Sequence, residues 1–278
     1  EFDQLAAAVN SMSSSLADNQ RHRQSEMDRA RGIQEQLLPG EVDVPGLQLA
    51  HFYRPAEDVA GDYYDIIALP GGACLVTVAD VTGHGVPAAL SAAMLKAYLQ
   101  DASEHHDDPG DILRFLNHRL TGVAQTDNFA TMFVAVVDSD RNTLRYASAG
   151  HDPGLLLRAD GRVRELPSTG LVLGVLDDAD WTTETLAVSP KDRLLLATDG
   201  VTEAISPAGE LFGRHRLAHE FEQCAGQAID ECISRIRHVT AEHCGTRVPT
   251  DDITLLALEI VDVRRETEEE GSPGNPGT

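Results

Sequence analysis

The sequence predicts an α+β fold with mainly antiparallel sheets, led by one long helix. Three observations carry this. Apolar segments of strand length come in runs with turn residues between them, and these runs are interrupted by paired helical segments. The first 38 residues hold a single Gly and no Pro, with apolar residues at helical spacing.

In the leading helix, Leu5, Val9, Met12 and Leu16 step by 4, 3 and 4, a coiled-coil seam. A second seam is Met27, Ala30, Ile33 and Leu37, and the eleven-residue step from Leu16 to Met27 breaks a strict heptad register. Pro39-Gly40 ends the helix. Leu47–Arg54, Tyr63–Leu69 and Ala73–Val81 read as strands, the last nearly all apolar and therefore central. A helix from Pro87 to Gln100 has Pro in its first turn and a small-residue face, Ala88, Ala89, Ala92 and Ala93, suited to close packing on a sheet. A second helix runs from Asp111 to about Ala124. Thr131–Asp138, Thr143–Ser148, Gly154–Arg158 and Arg162–Leu166 follow as short strands, then Trp181–Val188, Arg193–Thr198 and Ile253–Val261. Two helices lie between Arg214 and His243. Three regions result: a helical linker over 1–40, a folded domain over 45–263, and a charged, then Gly/Pro-rich tail over 264–278 expected to be disordered.

Composition narrows function. Of 278 residues, 42% are hydrophobic, enough for a sizeable core, and no apolar run approaches membrane-spanning length. The net charge is −23, while the tail from Arg264 holds two basic and four acidic residues, so the folded body itself is strongly acidic. That argues against nucleic acid and against an anionic membrane surface. The four cysteines, Cys74, Cys224, Cys232 and Cys244, include no CxxC pair, and the set with His243 fits no zinc spacing. They read as helix-packing thiols of a reducing, cytoplasmic compartment.

Four aspartate-bearing segments stand at strand ends or turns: Gly61-Asp62-Tyr63-Tyr64-Asp65, Asp80-Val81-Thr82-Gly83-His84-Gly85, Thr198-Asp199-Gly200 and Asp251-Asp252-Ile253-Thr254. Singly, each is an ordinary turn sequence. Together, on apolar strands, they describe carboxylates converging on one rim, which is how a polynuclear metal site is assembled. Strand alternation puts Asp62 and Asp65 on opposite faces and separates Asp251 from Asp252, without saying which of the latter points inward.

The same residues resemble the metal-dependent PPM phosphatases, in the branch of the sporulation stage II E and RsbU phosphatases. Arg54-Pro55-Ala56, the four segments above, the extension Val86-Pro87-Ala88-Ala89-Leu90, Ala130-Thr131-Met132-Phe133, Ala147-Ser148-Ala149-Gly150-His151 and Val201-Thr202-Glu203-Ala204 occur in the family's order. The resemblance implies an αββα sandwich with two Mn2+ or Mg2+ ions at one end. By motif position Asp80 bridges both ions, the Val81 carbonyl joins it, Asp62 holds one ion, and Asp199 and Asp251 hold the other. Ala60 and Leu173 depart from the family's usual Gly and Pro.

Such chemistry suits the demand. Phosphate monoester hydrolysis needs up to ~10²¹-fold acceleration, and one general acid or base supplies only ~10²–10⁴. Two metals activate water and neutralise the phosphoryl oxygens, and Asp oxygens are hard donors that favour Mg2+ or Mn2+ over zinc. His84 and His151 are candidates either for protonating the leaving oxygen or for holding loops, and Arg54 for contacting phosphate or pairing with a site aspartate. Tyr63 and Tyr64 read as packing.

The family implies a phosphorylated STAS-domain anti-sigma-factor antagonist as substrate. Residues Glu1–Met12 resemble the last helix of a HAMP signal-relay module, which implies an upstream part with a membrane anchor and a homodimer formed through the helix. Two other classes remain in view: a partner-binding pseudophosphatase, and a nucleotidyl cyclase, which also follows HAMP helices and uses paired aspartates but whose nucleotide-reading motif is not evident.

Overall fold

The computed structural model describes residues 2–40, 42–123, 129–247 and 249–262; the expected disordered tail lies outside them. Helix α1 spans Phe2–Leu37. Strands β1 (Leu47–Arg54), β2 (Asp62–Ala68) and β3 (Cys74–Val81) precede the helix pair α2 (Val86–His105) and α3 (Pro109–Val123). Then come β4 (Ala130–Asp138), β5 (Thr143–Ala149), β6 (Gly154–Leu157), β7 (Val163–Leu166), β8 (Glu184–Ala187) and β9 (Arg193–Ala197). The short α4 (Asp199–Thr202), α5 (Arg214–Glu222), α6 (Ile229–Cys244) and β10 (Ile253–Ile260) complete the chain. No described helix is long and apolar enough to cross a membrane.

Two five-stranded antiparallel sheets form, ordered β1-β10-β9-β6-β7 and β2-β3-β4-β5-β8. Three apolar layers alternate with them. Tyr64, Val76, Val78 and Phe133 of one sheet meet Leu156, Leu194, Leu256 and Leu258 of the other. The opposite faces are covered by α2 and α3, through Leu95, Leu99, Ile112 and Leu116, and by α5 and α6, through Phe221, Ile233 and Ile236. The αββα sandwich is therefore the observed architecture. It follows from period-2 strands whose two faces are both apolar, so that each sheet needs a cover on each side. β3 is buried along nearly its whole length and lies inside its sheet, next to the central β4. On α2 the close contact comes from Ala88 and Ala92, which are buried, while Ala89 and Ala93 are only partly so.

Two sequence expectations are corrected. Trp181 does not begin a strand; it is buried under α3, and its indole N–H donates to the Leu171 carbonyl at 2.8 Å, so β8 starts only at Glu184. Gly170 is required there, since a Cβ would lie 2.4 Å from the Trp181 ring. Cys74 is a strand residue packed between the sheets, unlike Cys224, Cys232 and Cys244 beneath the α5/α6 layer; all four are free buried thiols.

The alternation argument holds on β2. Asp65 faces α2, where its carboxylate meets the Lys96 ammonium at 2.9 Å and accepts the Tyr63 hydroxyl at 2.5 Å, and the pair is nearly buried (4% and 14% exposed). Removing one charge of such a pair strands the other. Asp65→Asn is expected to lower stability by about 3 kcal/mol in urea unfolding, with little effect on the rim that holds Asp62; an unchanged urea midpoint would contradict this.

Candidate active site

The four aspartate segments reach one rim because of strand register. Asp62 opens β2 and stands directly across from Asp80 near the end of β3. On the other sheet β9 ends at Ala197, opposite Leu255 of β10, so Thr198-Asp199 and Asp251-Asp252 leave the same edge. The Thr198 N–H donates to the Thr254 carbonyl (3.1 Å), and the Thr254 N–H to the Thr198 hydroxyl (3.0 Å). The two rims are then joined by one side chain. Oδ2 of buried Asp62 accepts the hydroxyls of both Thr198 (2.7 Å) and Thr254 (2.5 Å) across the sandwich.

Glycines allow the closeness. A Cβ on Gly200 would fall 1.9 Å from the Asp252 carbonyl oxygen, so Gly after Asp199 is what lets α4 start against the 251–252 segment. A Cβ on Gly61 would stand 2.7 Å from the Val81 carbonyl oxygen.

The result is an acidic well. Asp62 is pushed well above the ordinary carboxylate range by burial and then by the charge of Asp80, against the two threonine bonds that lower it. Burial, followed by the charges of Asp199, Asp251, Asp252 and Glu203, pushes Asp80 up to about 7. Asp199 rises to about 6 through burial, then Asp251, Glu203 and Asp152. Burial and neighbouring acids are the leading causes for all three. Among the described residues no three His, Cys, Asp or Glu side chains form a ready cage around a single ion. The donor set is nonetheless all oxygen, and its acids raise one another's pKa, which fits hard divalent cations.

Asp252 does different work from its neighbour. Its carboxylate accepts the N–H groups of Ala56 (2.7 Å) and Gly61 (2.8 Å), fixing the segment that leads into Asp62, whereas Asp251 is exposed at the rim. His84 is exposed and meets Glu57 at 3.2 Å. His151 is buried and shares a 2.8 Å hydrogen bond with the Thr131 hydroxyl. Burial pushes its pKa down to about 4, against the charge of Asp152 and the Ala197 backbone. Its bond to Thr131 ties it to β4. Arg54 is exposed and forms no ion pair among the described residues. Tyr63 and Tyr64 are buried packing residues.

Sequence reasoning missed several contributors. Thr198 and Thr254 lay inside the quoted motifs, next to the acidic residues that drew attention. Gln34 carried no signal: its side-chain amide donates to the Ala60 carbonyl (2.7 Å) and accepts the Ala60 N–H (3.0 Å). Arg31 beside it donates to the Asp58 carbonyl (2.9 Å) and carboxylate (3.0 Å). The end of α1 thus grips the backbone two residues ahead of Asp62. Leu173 has a use in place of Pro, since its N–H donates to the Ala130 carbonyl at 2.9 Å.

Because the folded pKa of Asp80 is raised, its cost to stability grows as pH rises from the ordinary carboxylate range through about 7 and is complete above that. Asp80→Asn is expected to raise the Tm of metal-stripped protein at alkaline pH by about 3 °C, equivalent to about 1 kcal/mol. A lowered Tm under those conditions would show that the carboxylates do not repel one another.

Comparison with known proteins places the chain in a family. The chain is 31% identical to protein IcfG of Synechocystis over 264 residues, covering 84% of this chain and 41% of IcfG. It is 32% identical to the phosphoserine phosphatase RsbU of Bacillus subtilis over 241 residues, covering 86% of this chain and 71% of RsbU. The chain therefore spans less than half of the first relative and about seven-tenths of the second. The SiaA-PP2C domain of Pseudomonas aeruginosa superposes with a TM-score of 0.79 at 25% identity, over 87% of this chain and 98% of that one. The catalytic domain of the serine/threonine phosphatase PstP, solved with two manganese ions, shares the fold at a TM-score of 0.59 and 16% identity, over 78% of this chain and 99% of that one. The model of the stage II sporulation protein E (SpoIIE) family matches residues 70–261, and the chain belongs to that family.

Proposed function

We propose that this chain is a protein serine/threonine phosphatase that hydrolyses phosphoserine or phosphothreonine on a partner protein, using two Mn2+ or Mg2+ ions. The observation that carries the reading is the convergence of Asp62, Asp80, Asp199 and Asp251, from four separate segments, into one well where neighbouring acids raise the pKa values of Asp80 and Asp199. In this assignment Asp80 would serve both ions with the Val81 carbonyl joining it, Asp62 would hold one, and Asp199 with Asp251 would hold the other. When bound, the cations supply the positive charge that activates water and neutralises phosphoryl oxygens.

The chain's own groups prepare that site. Thr198 and Thr254 hold Asp62 by one oxygen, leaving Oδ1 outside those two bonds. Asp252 fixes the Gly61 backbone, and Gly200 lets the turn after Asp199 lie against the Asp252 carbonyl. The intact carboxylate set speaks against a pseudophosphatase, and the family match speaks against a cyclase.

The partner we propose is a phosphorylated STAS-domain anti-sigma-factor antagonist, supported by the likeness to RsbU. We place the activity in the cytoplasm, reached by any membrane only through a segment upstream of this chain. Replacing Asp199 by Asn should reduce turnover of a phosphoserine protein to background at saturating Mn2+, and chelation should do the same to the native chain until Mn2+ or Mg2+ is restored. Near-normal turnover in either case would sink the two-metal reading.

The same proposal includes control by α1. Leu5, Met12, Leu16 and Ile33 are exposed, as an unfilled dimer seam requires, while Met27, Ala30 and Leu37 of the second seam are half-buried. Val9 belongs to the first seam, but its side chain lies outside the described residues. A parallel homodimer would carry a four-residue stutter between Leu16 and Met27. Shifts of that register would reach the site through Gln34 and Ala60. Deleting four residues within Ala17–Glu26 is expected to lock activity at one level, high or low. Turnover equal to the native chain in a deletion variant that is still dimeric would reject register control.

A further inference from the structure

For a chain of net charge −23, one cleft has the wrong sign. It occupies about 520 Å³ between α6 and the edge strand β1. Arg54, Arg237 and Arg247 line it with Phe52, Ile253 and Leu255, and among the described residues no carboxylate belongs to its lining. The Arg237 guanidinium lies 5.1 Å from the centre of the Phe52 ring. Among the described residues neither Arg54 nor Arg237 forms an ion pair. The Arg247 guanidinium reaches only a backbone carbonyl, that of Pro207, at 3.5 Å. His238, also on the wall, meets Glu242 at 3.3 Å. Elsewhere arginines find acids readily: Arg193 pairs with Glu259, Arg235 with Glu220 and Arg214 with Asp152. Leaving three guanidiniums together without a counter-charge, in so acidic a protein, marks a place where the counter-charge comes from outside.

The cleft also leads to the rim. Cys244, Arg247, Pro249 and Ile253 line both it and a smaller hollow of about 130 Å³ that contains Asp251 and Glu203. Its apolar floor and its volume suit a peptide better than a lone anion, and the chain's net negative charge repels a nucleic acid.

We propose that this cleft docks an acidic segment of the phosphoprotein, with glutamate or aspartate side chains on the arginines and an apolar side chain on Phe52, Ile253 and Leu255. The proposal rests on the phosphatase reading for its substrate, and on the cleft alone for its chemistry. Arg237 acts here as a specificity-determining residue and takes no part in hydrolysis.

The test uses two synthetic phosphoserine peptides, one with glutamates flanking the phosphoserine and one with glutamines, and the variants Arg237→Gln, Arg237→Glu and Arg164→Gln. Arg164 is an exposed arginine on β7, away from the cleft. The native chain should prefer the glutamate peptide, and Arg237→Glu should raise KM for it about tenfold, leaving kcat and the hydrolysis of p-nitrophenyl phosphate unchanged. The glutamine peptide and the Arg164→Gln control should show no such change. Binding of fluorescein-labelled, unphosphorylated versions, read by anisotropy, should follow the same order without any turnover. Absence of p-nitrophenyl phosphate hydrolysis by the native chain would remove the phosphatase reading and leave anisotropy to decide the cleft. Equal affinity for both peptides, a preference that survives Arg237→Glu, or an equal loss in Arg164→Gln would overturn the proposal.

Discussion

The arrangement of this molecule depends on one buried carboxylate. Asp62 belongs to one sheet, yet its Oδ2 is bonded by hydroxyls from two strand ends of the other. Burying a carboxylate costs several kcal/mol, and each hydrogen bond to a charged group returns about 1.5–3 kcal/mol. Two bonds do not fully offset that cost, which is why burial heads the causes of its raised pKa. The fold accepts this deficit at the place where the sheets must be held in one relative position. Apolar packing between the sheets is extensive but non-directional, and it does not by itself set where four strand ends meet. The Asp62–Thr198–Thr254 contact does.

From that contact the rest of the rim follows. Holding Thr198 and Thr254 fixes where β9 ends and β10 begins, and so where Asp199 and Asp251 stand. Register across β2 and β3 sets Asp80 against Asp62. Backbone proximity then demands Gly at 61 and 200. Each piece is stable locally, while the sum is an electrostatic conflict, with Asp80 and Asp199 both raised by neighbouring acids. A stability-driven sequence would dilute such a well. Its persistence is what a cation-binding function explains.

Much of this was legible in the sequence, and for definable reasons. Strands were readable because both sheet faces are buried, so β3, β4 and β10 are apolar almost throughout. Strand alternation alone separated Asp62 from Asp65, and the structure places Asp65 with Lys96 on the α2 side. What stayed hidden depends on contacts between distant segments. Nothing local marks Gln34 as the residue that holds Ala60, or Asp252 as the one that holds Gly61. Trp181 looked like the start of a strand because it is apolar and precedes alternating residues, yet it is held by the Leu171 carbonyl. α4 was missed because four residues carry no periodic signal.

The link between α1 and the rim is short: Gln34 to Ala60, then two residues to Asp62. The end of α1 and the rim therefore share one loop. The central claim is that this well exists to hold two divalent cations. Isothermal titration of the metal-stripped chain with Mn2+, paired with anomalous scattering from Mn2+-soaked crystals, tests it most directly. The account predicts two ions per chain between Asp62, Asp80, Asp199 and Asp251. No bound manganese at that rim, with the protein folded and the ion in excess, would contradict it.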